Sequence, residues 1–220
     1  MKRIFCLIIF ISSLFLRLSG QDFDTRRITS GTGLSNSSVT CILQDSDGQM
    51  WFGTWDGLNM YDGKSITVFK PEPGNKESIS NNIIREMIEQ KPGILWVATD
   101  RGINRLDVKT GKAERFFFGS SGWDIPTEHA FIISKDAQDR IFAFIYGQGA
   151  FVFNANAHVF ERVPIPGTNG AVKAIYGKDN DLYILNQDNL IQRMKLTSEG
   201  NTNNPPAIRA TSKPSMLTLA

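Results

Sequence analysis

The sequence predicts an all-β fold made of repeated four-stranded units, and two observations carry that expectation. A block of about 45 residues recurs along the chain. Each copy divides into short runs of alternating character, separated by Gly, Asp and Asn turn residues. The composition agrees. In 220 residues, 41% hydrophobic and 21% charged, there is enough apolar material for a packed core, which excludes wholesale disorder. Nineteen glycines and 15 phenylalanines favour strands and turns over long helices.

The repeat is plainest in its first two copies. Residues 34–62 and 79–107 align without a gap at a spacing of 45. Ser35 matches Ser80, Asn36 matches Asn81, Trp51 matches Trp96 and Thr54 matches Thr99. Gly57, Asn59 and Asp62 match Gly102, Asn104 and Asp107. A third copy, 130–154, places Phe142 at the Trp position and Gly149 at the Gly position. A fourth, 172–194, places Tyr183 and Asn189 there, and Asn replaces Gly most readily where φ is positive.

The elements follow in order within the first copy. Val39–Gln44 alternates as a first strand, and Asp45-Ser46-Asp47-Gly48 reads as a tight turn. Met50–Gly53 is the second strand, Trp55-Asp56 a short loop and Gly57–Tyr61 the third strand. Asp62-Gly63 signals a hairpin into a fourth strand, Ser65–Phe69. Asn81–Gln90 could pass for a short helix, but the ungapped repeat makes it a strand. Four strands in about 45 residues, with an aromatic in each second strand, describe a β-propeller blade.

The expected architecture is therefore a propeller of about four blades of four antiparallel strands. The blades span about 34–77, 79–125, 127–168 and 170–196 within a propeller region 21–196, and 197–220 reads as an irregular tail. The 200 residues after Gly20 hold about 4.4 repeats, whereas propellers of this kind commonly close at about six to eight blades. The expectation is an incomplete propeller with exposed edge strands. Arg26–Thr29 stands where an outer strand of a closing blade would end.

Residues 1–20 read as a signal peptide. Lys2 and Arg3 precede a 13-residue apolar run, Ile4–Leu16, too short to span a bilayer, and Ser19-Gly20 suits cleavage before Gln21. Export to the periplasm follows as an expectation. Cleavage removes three of the 24 basic side chains and none of the 22 acidic ones, taking the net charge from +2 to −1. A charge this small argues against a nucleic-acid-binding surface. Two cysteines cannot supply a disulfide scaffold or a four-thiolate zinc site, and Cys41 reads as a small buried strand residue.

The in-register aromatics Trp51, Trp96, Phe142 and Tyr183 read as packing between blades rather than as a sugar-stacking ring. Asp45-Ser46-Asp47-Gly48 lacks the spacing of a calcium loop. His129 and His158 fall in different repeats without metal spacing, and neither G-x-S-x-G nor a G-x-x-x-x-G-K phosphate loop is present. No catalytic residue, metal or cofactor is expected, and the chain is not read as an enzyme.

In a propeller, the loops between second and third strands share a face with the connections from one blade to the next. On that face the sequence places Trp55 and Asp56, Asp100 and Arg101, Tyr146 and Gln148, the connection Lys70–Ser78, and Gly119–Thr127 with Trp123. Trp55 and Trp123 stand outside the repeated aromatic register, so packing explains them less readily. An aromatic face with acidic and basic groups nearby suits a sugar, whose C–H groups stack and whose hydroxyls hydrogen-bond. These seven residues (Trp55, Asp56, Asp100, Arg101, Trp123, Tyr146, Gln148) are the candidate ligand-binding set.

The segment L-S-N-x-x-V-x-x-I-x-x-D-x-x-G-x-x-W-F-G-T-x-x-G-L-N-x-Y-D at 34–62 resembles the two-component regulator propeller repeat, and I-S-N-x-x-I…G-x-L-W-V-A-T-x-x-G-I-N-R-L-D at 79–107 does too. The later copies lack the Trp and the Thr. The resemblance implies the extracytoplasmic sensor of a hybrid two-component system. It implies an oligosaccharide ligand, further blades, and a membrane helix leading to a kinase, receiver and DNA-binding domain in a dimeric full-length protein. No kinase, receiver or helix-turn-helix segment stands in these 220 residues. The competing readings are a secreted propeller glycan hydrolase or lyase and a protein-binding scaffold propeller. The first needs two carboxylates about 5–10 Å apart on the loop face, the second an exposed apolar patch there.

Overall fold

The computed structural model describes residues 25, 27–118, 131–145, 148–165, 172–178, 181–186, 191–201, 204–210 and 215–217. The expected leader, Trp123, Tyr146 and Asn189 lie outside the described residues. The described chain is almost entirely β. Strands β1 (Val39–Gln44), β2 (Met50–Thr54), β3 (Gly57–Tyr61) and β4 (Ile66–Phe69) form the first sheet in that order. Strands β5 (Ile84–Lys91), β6 (Ile94–Thr99), β7 (Gly102–Asp107) and β8 (Lys112–Phe116) form the second. The third holds β9 (Phe131–Lys135), β10 (Ile141–Ile145), β11 (Gly149–Asn154) and β12 (Val159–Arg162). All pairs are antiparallel, so each sheet is one meandering blade.

The fourth sheet differs from expectation. It comprises β13 (Val172–Lys178), β14 (Asp181–Asn186), β15 (Ile191–Asn201) and β16 (Asn204–Ala210), with β17 (Ser215–Leu217) also on β15. Where it is described, the segment 197–220, read as irregular, lies in strands. The reason is positional: β16 is an outer strand, where a missing proline N–H does no harm. Pro205 and Pro206 fall at a register shift, between the pairs Glu199↔Ala207 and Asn201↔Asn204. A second expectation also fails. Arg27–Thr29 is in no strand and leads into a 3-10 turn, Ser30–Thr32, because no described strand lies beside it to complete a ladder.

The blades stack through three apolar cores. Trp51 and Leu58 of the first blade meet Ile84, Met87, Leu95 and Val97 of the second. Trp96 and Ile103 meet Phe131, Ile133, Ile141 and Ile145 of the third. Phe142, Phe144 and Ala150 meet Leu182, Ile184 and Met194 of the fourth. Trp51, Trp96 and Phe142 are at most 1% exposed, so the repeated aromatics are packing residues. Each indole N–H is also answered, by Asp45 Oδ2 at 2.7 Å for Trp51 and Gln90 Oε1 at 3.0 Å for Trp96.

The polar identities of the repeat form a second, hydrogen-bonded framework. Asn59 Oδ1 accepts from Ser35 N at 2.8 Å, while its Nδ2 donates to Ser35 Oγ and to Phe52 O. Asn104 does the same with Ser80 and Val97. Ser35 Oγ lies 3.0 Å from Thr54 Oγ1, and Ser80 Oγ 2.9 Å from Thr99 Oγ1. Both Asn side chains are fully buried, where unpaired amides would cost about 1–3 kcal/mol each.

Candidate functional site

The antiparallel order places the β2–β3 turn and the connection from β4 to β5 at one end of the blades. Local hydrogen bonds shape the turns. Thr54 Oγ1 donates to Gly57 O at 2.8 Å and accepts from Asp56 N at 3.1 Å. Thr99 Oγ1 repeats this with Gly102 O and Arg101 N. Two residues therefore project between Thr and Gly in each copy: Trp55-Asp56 in the first, Asp100-Arg101 in the second.

The connection between blades ties these turns together. Gly57 N donates to Asn82 O at 2.7 Å, and Asp100 N donates to Ile83 O at 3.2 Å. Asn82 Nδ2 also donates to Asp56 Oδ1 at 3.1 Å. The structure thus places Trp55, Asp56, Asp100 and Arg101 in adjacent turns flanking one segment. Trp55 is 57% exposed, unlike the buried Trp51 four residues earlier. Asp56 pairs with Lys70 Nζ at 2.6 Å. That hydrogen bond, and after it the one from Asn82, holds its carboxyl below the usual range. Asp100 accepts both Nε and Nη2 of Arg85 in a bidentate pair. Gln148 stands in the register of Asp56 and Arg101 in the third blade, immediately before Gly149. It is held within its own blade, its carbonyl accepting from Arg162 Nη2.

Both carboxylates are therefore charge-compensated from within the chain, and act as oriented hydrogen-bond acceptors. Among the described residues there is no group of three or more His, Cys, Asp or Glu placed to hold a metal ion. Sequence reading missed three participants. Asn82 and Arg85 fix the two carboxylates. Phe117, 53% exposed, lies beside the second turn, with its ring near where a Cβ on Gly102 would sit. The run Phe116-Phe117-Phe118 was the available signal, since Phe116 and Phe118 turn inward while Phe117 does not.

Comparison with known proteins now bears on the fold. Residues 33–56 match the family model described as two component regulator propeller. A histidine kinase of Formosa agariphila is 38% identical over 78 residues, covering 35% of this chain and 6% of that protein. The extracellular domain of a protein named as a hybrid two component system of B. thetaiotaomicron superposes with a TM-score of 0.60 at 21% identity. That match covers 77% of this chain and 25% of the other. The WD40 β-propeller domain of Doa1 superposes at 0.53 with 15% identity, over 72% of this chain and 51% of that one. At these identities the solved structures establish the shared propeller fold. The chain spans 6% of the length of the curated relative and a quarter of the B. thetaiotaomicron extracellular domain. Among the described residues, no helix is long and apolar enough to cross a membrane.

Proposed function

We propose that this chain is the ligand-sensing propeller region of a hybrid two-component sensor. Residues 1–20 export it to the periplasm, and its loop face binds an oligosaccharide released from a glycan. The observation that carries the reading is Trp55: a large aromatic, more than half exposed, beside an aspartate fixed by Lys70 and Asn82. A stacking plane with oriented acceptors beside it is what a sugar ring requires. Asp100, Arg101 and Gln148 extend the same face, and Trp123 and Tyr146 belong to its loops in sequence. Binding would alter the packing between sensor copies in a dimer and so pass the signal to a kinase in the full-length protein. The regulator-propeller repeat and the likeness to a sensor's extracellular domain support this reading.

The test is calorimetric titration of a panel of oligosaccharides into the full-length sensor and its Trp55→Ala variant. A loss of affinity of about two- to twelvefold is expected, since stacking of this kind contributes about 0.5–1.5 kcal/mol beyond burial. Unchanged affinity for a sugar that binds the parent would remove Trp55 from the site.

A further inference from the structure

A second cleft, of about 780 Å3, runs along the outer edge of the second blade beside β8. Its volume lies within the range of about 300–1,000 Å3 that holds small ligands. Four cationic side chains line it, Lys76, Arg105, Lys112 and Arg115, together with the exposed ring of Phe117.

Two of the cations build the wall. Arg115 Nη2 donates to Asn75 O at 2.7 Å and to Ser78 Oγ at 2.6 Å, fastening the blade connection to β8. Lys112 Nζ lies 2.8 Å from Glu77 Oε2. The other acids of the cleft are also engaged. Asp107 Oδ1 accepts the turn amide of Thr110 at 2.9 Å, and Glu114 Oε1 is 3.3 Å from His158 Nδ1. Among the described residues, neither Lys76 nor Arg105 is in an ion pair, although Arg105 faces Glu114 across the ladder and its charge reaches Asp107.

The repeat itself does not call for these groups. Where the second blade has Arg105, the first has Met60, each opposite the blade's tryptophan. Where the second has Phe117, the first has Lys70, each following the last residue of the outer strand. Met60 packs into the interblade core, whereas Arg105 lines the cleft. Two cations outside any ion pair and an exposed ring, all departures from the architectural pattern or outside it, point to a ligand with one anionic group and one ring face. Guanidinium matches a carboxylate bidentately, and a phenyl ring covers the C–H face of a sugar.

We propose that this cleft is a second binding site, which takes a sugar acid with its carboxylate at Lys76 and Arg105 and its ring against Phe117. It meets the loop face at Phe117, which lies between the second turn and the cleft, while its cationic half, Lys76 and Arg105, stands apart from that face. The test titrates digalacturonate, its neutral counterpart galactobiose, and sodium sulfate into the full chain and into the Arg105→Met, Lys76→Met and Phe117→Ser variants. Methionine is the first blade's own residue at the Arg105 register, and Lys76 and Phe117 are exposed. Unchanged thermal unfolding then certifies each variant as folded. Digalacturonate is expected to bind at least tenfold tighter than galactobiose, to weaken as salt rises, and to lose at least fivefold in each variant. Equal binding of the two sugars, or undiminished digalacturonate binding in Lys76→Met and Arg105→Met, overturns the proposal. So does sulfate that binds as tightly as digalacturonate, which would mark the cleft as an anion site without ring recognition.

Discussion

The first and second blades share a backbone register from the opening Leu-Ser-Asn or Ile-Ser-Asn to the third strand, yet they differ wherever a side chain leaves the framework. Both bury a tryptophan, both wire Ser, Thr and Asn into one buried network, and both turn at a Thr-x-x-Gly. Between Thr and Gly one blade presents Trp-Asp and the other Asp-Arg. The cations fixing the aspartates come from different places: Lys70 follows β4, whereas Arg85 lies on β5. The hairpin into the fourth strand is also two residues longer in the second blade, since Tyr61 pairs Ile66 but Leu106 pairs Ala113. Identity between the copies thus marks what holds a blade together, and difference marks what a blade offers to a partner.

The blades differ in packing too. Ile42, on the first blade's face away from the second, is 60% exposed, whereas its counterparts Met87 and Ile133 are 6% and 2% exposed. A face that is core in one blade is solvent-facing in another, because burial is set by the neighbour and not by the repeat.

The largest test removes the aromatics. Trp96→Ala should cost about 3–5 kcal/mol. Trp51→Ala should cost less, because Trp96 contacts Phe116, Phe153 and Phe160 while Trp51 stacks on Phe69 alone among the described rings. Urea unfolding of the two variants measures the gap, and equal losses would mean that the aromatic cluster adds nothing. Asn59→Ala and Asn104→Ala come next, each at about 1–3 kcal/mol and equal within error. A clear inequality would break the equivalence of the two networks.

Glu86 gives a smaller, pH-dependent contrast. It occupies the register of Cys41, and its Oε2 accepts Ile133 N at 2.9 Å, linking the second blade to the third. Burial pushes its carboxyl above the usual range, so the native state holds the proton more tightly than the unfolded chain. Its contribution to stability is therefore full below the unfolded carboxylate range and declines as pH rises through the raised native value. Glu86→Gln, which keeps an acceptor for Ile133, should be more stable than the parent at pH 7 and converge with it near pH 4. Denaturant midpoints at the two pH values decide it, and a constant difference would exclude the titration.

The smallest effect belongs to Asp56. Its depressed carboxyl contributes above the unfolded value near pH 4 and is lost as pH falls through the native one. With both partners about two-fifths exposed, Lys70→Met should cost no more than about 0.5 kcal/mol at pH 7 and nothing in acid. A larger loss at neutral pH would show the pair to be part of the framework after all.

The sequence by itself determined the blade. An ungapped repeat of Trp, Thr, Gly and Asn positions announces strands, turns and interblade aromatics, because those features repeat only when each unit packs on the next. It could locate the turns that carry Trp55, Asp56, Asp100 and Arg101, since turn chemistry is local. Tertiary structure alone decided which groups answer them. Arg85 meets Asp100 across a β-ladder, and Asn82 reaches Asp56 from the following blade. Neither follows from a period of 45. Tertiary structure also placed Pro205 and Pro206 within an outer strand, at a register shift, where a local rule reads only a loop. Repetition fixes what every blade must do for its neighbours, while the partners of a non-repeated side chain depend on distances that only the assembled blades define.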